Sequence, residues 1–261
     1  MRTAELAPGS ILQQMYLDER LARRAGTPGT FIDLGAGTGG TSSVLLARGW
    51  RGSGLDLNET ACARNASTNG HFVSTGSYEV RHGDFLAMDR LGCVDLAVSS
   101  MVLEHFDAEA TNRFFRLART LLTPSGSLIL MVPGSPRHWG IEDEVAGHVR
   151  RFDRDSVVEV LRRNGFQVNH VVGLTYPVSN FLLPISNLLV SRAERKRLVL
   201  TANERTVLAG NRSVMFKTTY PARLRLVLNK YTMYPFHLLQ KRFRHHPKAL
   251  VLYVEARLAK P

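Results

Sequence analysis

Apolar positions recur along this chain in two alternating rhythms. Short, nearly unbroken apolar runs stand at Phe31–Leu34, Gly54–Leu57, Tyr78–His82, Val94–Ser99, Ser127–Val132, Phe166–Leu174 and Ala249–Leu258. Between most of them apolar residues return every three or four positions. The short runs predict strands and the spaced stretches predict helices. The helices run over Ser10–Arg24, from the glycines after Leu34 to about Arg48, over Glu59–Asn69, from Asp107 to Leu122, and from Asp153 to Asn164. Asn58, Asp107 and Asp153 stand where a side-chain acceptor caps free N–H groups, and Gly49, Gly70 and Gly165 stand where a left-handed residue ends a helix.

Strands apolar at nearly every position must be covered on both faces, and helices between them supply the crossovers. The expected fold class is therefore α/β, a doubly wound, mostly parallel seven-stranded sheet. Residues 175–248, between the sixth and last strands, are too long for a hairpin loop and predict an inserted helical cap. Residues 1–174 and 249–261 then form the core.

Composition sharpens this picture in two ways. With 44% hydrophobic and 21% charged residues in 261, the chain can bury a full core, which excludes a disordered or fibrous class. Two cysteines are too few for a disulfide framework, and no basic-then-apolar leader opens the sequence, so the expected setting is cytoplasmic. The net charge of +12 is placed unevenly: residues 175–248 hold fourteen Lys/Arg against Glu194 and Glu204, so the rest is neutral. That segment also carries Phe181–Ile185, Leu188–Val190, Leu224–Leu228 and Tyr234–Leu239, while Pro177, Asn180, Pro184 and Asn187 interrupt any membrane span. Two readings follow. The segment lies on an anionic membrane surface, making the protein peripheral to it, or it is a lid whose charges are simply solvated.

The candidate chemistry begins at the first strand-to-helix turn, where glycines let a ligand approach the backbone and a helix N-terminus offers N–H groups. Gly35-x-Gly37-x-x-Gly40, with Asp56 downstream, fits a dinucleotide fingerprint as well as other nucleotide sites. Three further features narrow it. Asp33 completes the run Asp-x-Gly-x-Gly-x-Gly, Gly83-Asp84-Phe85 follows the third strand, and Val94 to His105 with Leu121 to Ile129 form a strand exit and helix-turn-strand.

In that order these segments, over roughly residues 30–172, resemble the motifs of class I S-adenosylmethionine-dependent methyltransferases, especially the ubiquinone-methyltransferase-like branch. The resemblance implies a Rossmann-like methyltransferase fold with S-adenosylmethionine as cofactor. Asp33 would lie near the methionine amine, Gly35, Gly37 and Gly39 beneath the methionine, Asp56 with Leu57 at the ribose, Asp84 and Phe85 at the adenine, and Ser99 at the fourth-strand exit. Asp33 and Asp56 also read as helix caps, and the glycines as turn punctuation.

A hydroxyl acceptor benefits from a general base, and histidine suits that role near neutral pH. His105, past the fourth strand, and His148, in Gly147-His148-Val149-Arg150-Arg151-Phe152, are the candidates; His105 also reads as a packing residue. The second segment resembles a stretch in members associated with glycan and natural-product modification. Arg150 and Arg151 would hold an acceptor anion, with Tyr176 beside it, or else pair with Glu142–Glu144. No metal is expected. The leading expectation is O-methylation of a small or lipid-linked acceptor such as a sugar, polyketide or acyl compound. An RNA methyltransferase and a non-catalytic cofactor-binding module remain as rivals, although nucleic acid is disfavoured because Ser99-Ser100-Met101-Val102 replaces the Asn/Asp-Pro-Pro-aromatic run of base-amine enzymes.

Overall fold

The computed structural model describes residues 3–4, 7–24, 26–88, 92–201, 204–206, 214 and 220–259. Its centre is a seven-stranded sheet of β1 (Thr30–Leu34), β2 (Arg51–Asp56), β3 (Tyr78–His82), β4 (Val94–Ser100), β5 (Leu122–Pro133), β6 (Phe166–Leu174) and β7 (Val251–Leu258). The spatial order is β3-β2-β1-β4-β5-β7-β6. β1 to β5 run parallel, and β7 enters antiparallel between β5 and β6.

Helices cover both faces. α1 (Pro8–Ala22) and α2 (Gly40–Ala47) place Leu17, Leu21, Leu45 and Leu46 on one side, against Phe31, Val98 and Tyr253. α3 (Glu59–Thr68) is capped by Asn58, whose side chain accepts from the Ala61 N–H. α4 (Ala108–Leu121) and α6 (Arg154–Arg163), capped by Asp107 and Asp153, bury Phe114, Phe115, Val157 and Leu161 on the opposite side. Each such side chain removed from water stabilises by about 1.5–3 kcal/mol, so the two layers fix the sheet from both faces.

Three strand starts differ from the sequence reading by two residues or more. β2 starts at Arg51 rather than Gly54, because Gly52 is needed inside the strand: a Cβ there would lie 1.9 Å from the Phe31 carbonyl oxygen. β5 starts at Leu122, directly at the end of α4, and a register shift between Val94 and Leu96 absorbs the extra residues before Ser127. β7 starts at Val251 rather than Ala249.

Between β6 and β7 the described residues form α7 (Val178–Glu194), a 3-10 turn Arg195–Val199, a second 3-10 turn Ala222–Leu226, and α8 (Tyr234–Arg242). Residues 207–213 and 215–219, with Arg212 and Lys217 of the basic set, lie outside the described residues. α8 is fastened to α1. The Glu19 carboxylate accepts from Lys241 and pairs with His237, and the buried Gln240 amide donates to Leu12 O at 2.9 Å while its oxygen accepts from the Thr175 N–H. No described helix is long and apolar enough to cross a membrane.

Candidate active site

The carboxyl ends of β1, β2 and β4 open into a cavity of about 520 Å³, within the usual range of roughly 300–1,000 Å³ for small-molecule sites. Gly35 and Gly37 lie on its floor at φ +78° and +53°. A side chain on Gly35 would strike Val102 at 2.3 Å, whereas nothing stands within 4 Å of a Cβ on Gly37, so the bare backbone of Gly37 faces the cavity. Met101 and Thr175 also line it and hold left-handed φ of 56° and 68° without being glycine. Such strained residues persist where their surroundings over-determine them. The Met101 N–H donates to Met131 O and the Thr175 N–H to Gln240.

Asp56 at the end of β2 joins the wall. Its Oδ2 accepts from the Gly37 N–H and its Oδ1 from the Asn58 N–H, both at 2.8 Å, which fastens the glycine turn to β2. Leu57, Asp84 and Phe85 complete this end, and Phe85 meets Phe106 edge-on with ring centroids 6.3 Å apart. Asp33 lies beneath the glycine turn, off the cavity wall. Its Oδ2 accepts from Ser42 at 2.7 Å, Oδ1 has no partner, and burial pushes the carboxyl up to about 7. Two further residues expected at the cofactor also stand behind the wall. Gly39 packs against Asn65 and Asn69, and the Ser99 hydroxyl donates to Leu34 O.

The other end is polar. His105 and His148 both line the cavity with rings edge-on, centroids 4.9 Å apart. His148 Nδ1 meets Asp143 Oδ1 at 2.8 Å, and its Nε2 lies 3.7 Å from Glu104 Oε1. His105 Nδ1 lies 3.3 Å from Gly147 O and 3.1 Å from the Thr206 hydroxyl. Burial beside His148 pushes the His105 pKa down to about 4, so its ring is neutral at pH 7. Glu104 is fully buried with no hydrogen bond to either carboxylate oxygen, and burial raises it to about 7. Asp143 differs: burial opposes its charge, yet the bonds from His148 and Arg151 hold it below the usual carboxylate range.

The expected acceptor residues separate here. Arg151 lines the cavity, donating to Asp143 Oδ1 at 2.7 Å and to Gly134 O at 3.0 Å. Arg150 turns inward to Leu103 O and Thr111 and covers the Phe152 ring, while Tyr176 stacks on His246 at 3.9 Å; neither is on the cavity wall. Glu104 was not singled out from the sequence, and Asp143 entered only within the Glu142–Glu144 run as a partner for the arginines, the pairing that Arg151 makes. Asp143 is placed by the short helix α5 (Ile141–Ala146), where its Oδ2 also accepts from the Gly140 N–H. The insertion supplies Leu182, Leu183, Ile185 and Ser186 from one face of α7.

No curated protein sequence matches the chain. Solved structures with the same fold include the 1,6-didemethyltoxoflavin-N1-methyltransferase of Burkholderia thailandensis with bound S-adenosylhomocysteine, 20% identical, TM-score 0.53, covering 63% of this chain and 72% of that one. The pyocyanin biosynthetic protein is 19% identical, TM-score 0.52, over 62% of this chain, and mitomycin 7-O-methyltransferase is 16% identical, TM-score 0.51, also over 62%. This chain spans 52% and 50% of the length of those two. Residues 13–171, more than half the chain, match the model of the methyltransferase domain, and the chain belongs to that family.

Proposed function

We propose that the enzyme O-methylates a small or lipid-linked acceptor, such as a sugar, polyketide or acyl compound, whose hydroxyl lies at the Glu104–His105–His148 end of the cavity. When bound, S-adenosylmethionine supplies an electrophilic methyl group on a sulfonium. Asp56 is suited to the ribose hydroxyls, Gly35 and Gly37 to the methionine moiety, and Asp84 with Phe85 to the adenine, because these residues share one end of the cavity. Asp33 acts on that end from below, through the glycine turn.

The observation that carries the reading is the Asp143–His148 pair opening on the same cavity. Asp143 fixes the imidazole by its Nδ1, so the polar end is where the acceptor hydroxyl loses its proton. Holding the hydroxyl in line with the methyl group contributes the rest, as alignment does in any displacement. Replacing His148 with Gln is expected to lower turnover roughly 10²–10⁴-fold while S-adenosylmethionine affinity stays near wild type. Turnover unchanged by that substitution would remove the polar end from the chemistry.

A lipid-linked acceptor is supported by the two faces of α7. One face gives Leu182 and Leu183 to the cavity and Ile185 stands at its rim, while Phe181 and Leu188 are 79% and 50% exposed and Arg192, Arg195 and Lys196 continue the outer side. A helix that is apolar outward, basic at one end and open to the cavity inward suits an acceptor drawn from an anionic surface.

A further inference from the structure

We propose that Glu104, His105 and His148 hold a divalent transition metal, zinc being the best match, and that this metal carries the acceptor hydroxyl. The proposal deepens the reading of the polar end and rests on it. One ligand-type atom from each of the three residues lies within 4.8 Å of the other two.

The surroundings of the two imidazoles point the same way. Histidines that bind a metal through one ring nitrogen give the other N–H to a carboxylate or a backbone carbonyl. His148 has Asp143 Oδ1 at 2.8 Å from Nδ1, and His105 has Gly147 O at 3.3 Å from its Nδ1. Protonation at Nδ1 leaves a lone pair on Nε2 of each ring. Both of these partners come from α5 and the residue that ends it, and the Thr206 hydroxyl, 3.1 Å from His105 Nδ1, can accept from the same N–H.

Glu104 supplies an independent observation. Its carboxylate is fully buried, both oxygens lack hydrogen-bond partners, and it lines the cavity. Buried acceptors without donors are costly and rare, so the group calls for a cation. The nearby guanidinium groups do not serve it: Arg151 is turned to Asp143 and Gly134 O, and Arg150 to Leu103 O and Thr111. One carboxylate and two imidazoles beside an open cavity form the three-ligand set of catalytic zinc, with the fourth position left to an oxygen ligand.

The fit demands little movement. Ligands about 2.0–2.2 Å from a tetrahedral zinc stand roughly 3.4 Å apart, so atoms that lie within 4.8 Å of one another must close by at most about 1.4 Å. The His148–Glu104 separation is already 3.7 Å. A hydroxyl bound to such a metal ionises near neutral pH, as metal-bound water does, and releases its proton to water in the cavity mouth. The histidines then serve as ligands that place the acceptor oxygen.

The test uses the full chain stripped with a chelator and dialysed. Zinc is titrated by calorimetry and cobalt by visible absorption, with S-adenosylmethionine binding as the measure of an intact fold. Wild type is expected to take one equivalent of zinc and to give a cobalt band. Glu104→Gln and His148→Gln should each weaken zinc at least about 100-fold and remove the band, with cofactor affinity kept. Absence of zinc binding by protein that binds the cofactor overturns the site, as does equal zinc binding by the variants, which would place the ion on other histidines. Turnover undiminished in metal-free protein also overturns it and leaves the methyl-transfer reading standing.

Discussion

Two carboxylates at the glycine turn carry opposite expectations. Asp56 faces the cavity, so Asp56→Ala is expected to weaken S-adenosylmethionine binding by about 1–3 kcal/mol in a calorimetric titration, because hydroxyls lose a charged acceptor. Unchanged affinity in a folded variant would take Asp56 out of the site. Asp33 is buried, and its folded carboxyl titrates near 7 against an ordinary value of 3.8. Between those values the folded state binds the extra proton, so stability falls as pH rises through that window. Asp33→Asn cannot ionise, and it should raise the melting temperature most at pH 8, by up to about 4 kcal/mol of stability, with the gain shrinking toward pH 4. A gain that is constant with pH, or a loss at pH 8, would contradict this. Both acids were visible in the sequence as motif members, but their difference was not. Spacing places a residue near a strand end, whereas burial under Ser42 and Tyr78 depends on the packed neighbours.

At the scale of elements, the strands and caps were legible because each rests on local chemistry. Asn58, Asp107 and Asp153 each accept from a first-turn N–H as their positions require. Gly52 stood outside the expected second strand because its role is a close approach to a neighbouring strand, which no local pattern reveals. Glu104 went unnoticed beside His105 for the same reason: only the return of α5, far along the chain, makes it a buried partner of His148. The docking of α8 onto α1 gives a test at this scale. Gln240→Ala leaves the Thr175 N–H without its acceptor, so stability should fall by about 1–3 kcal/mol in urea unfolding. A neutral effect would mean that another group takes that bond.

For the molecule as a whole, the charge is split between a neutral methyltransferase core and a basic insertion, and the split was readable directly from composition. How the insertion sits was not, because α7 shows one apolar face to the cavity and another to solvent, and its sequence spacing fits either. If the outer face meets anionic lipid, wild type should co-sediment with anionic vesicles at low salt and release as salt rises, each surface cation adding about 1 kcal/mol. Phe181→Asp with Leu188→Asp should abolish that binding and spare cofactor affinity, and vesicle binding unaffected by the pair would remove α7 from the contact. The central claim is methyl transfer to a hydroxyl held at the Glu104–His105–His148 end of the cavity. It is tested most directly by incubating the enzyme with methyl-deuterated S-adenosylmethionine and extracts of its source, then reading products by mass spectrometry. Wild type should yield labelled methyl ethers, and His148→Gln, still binding the cofactor, should yield almost none. Equal labelling by both proteins, or label found only on nitrogen or carbon, would contradict the account.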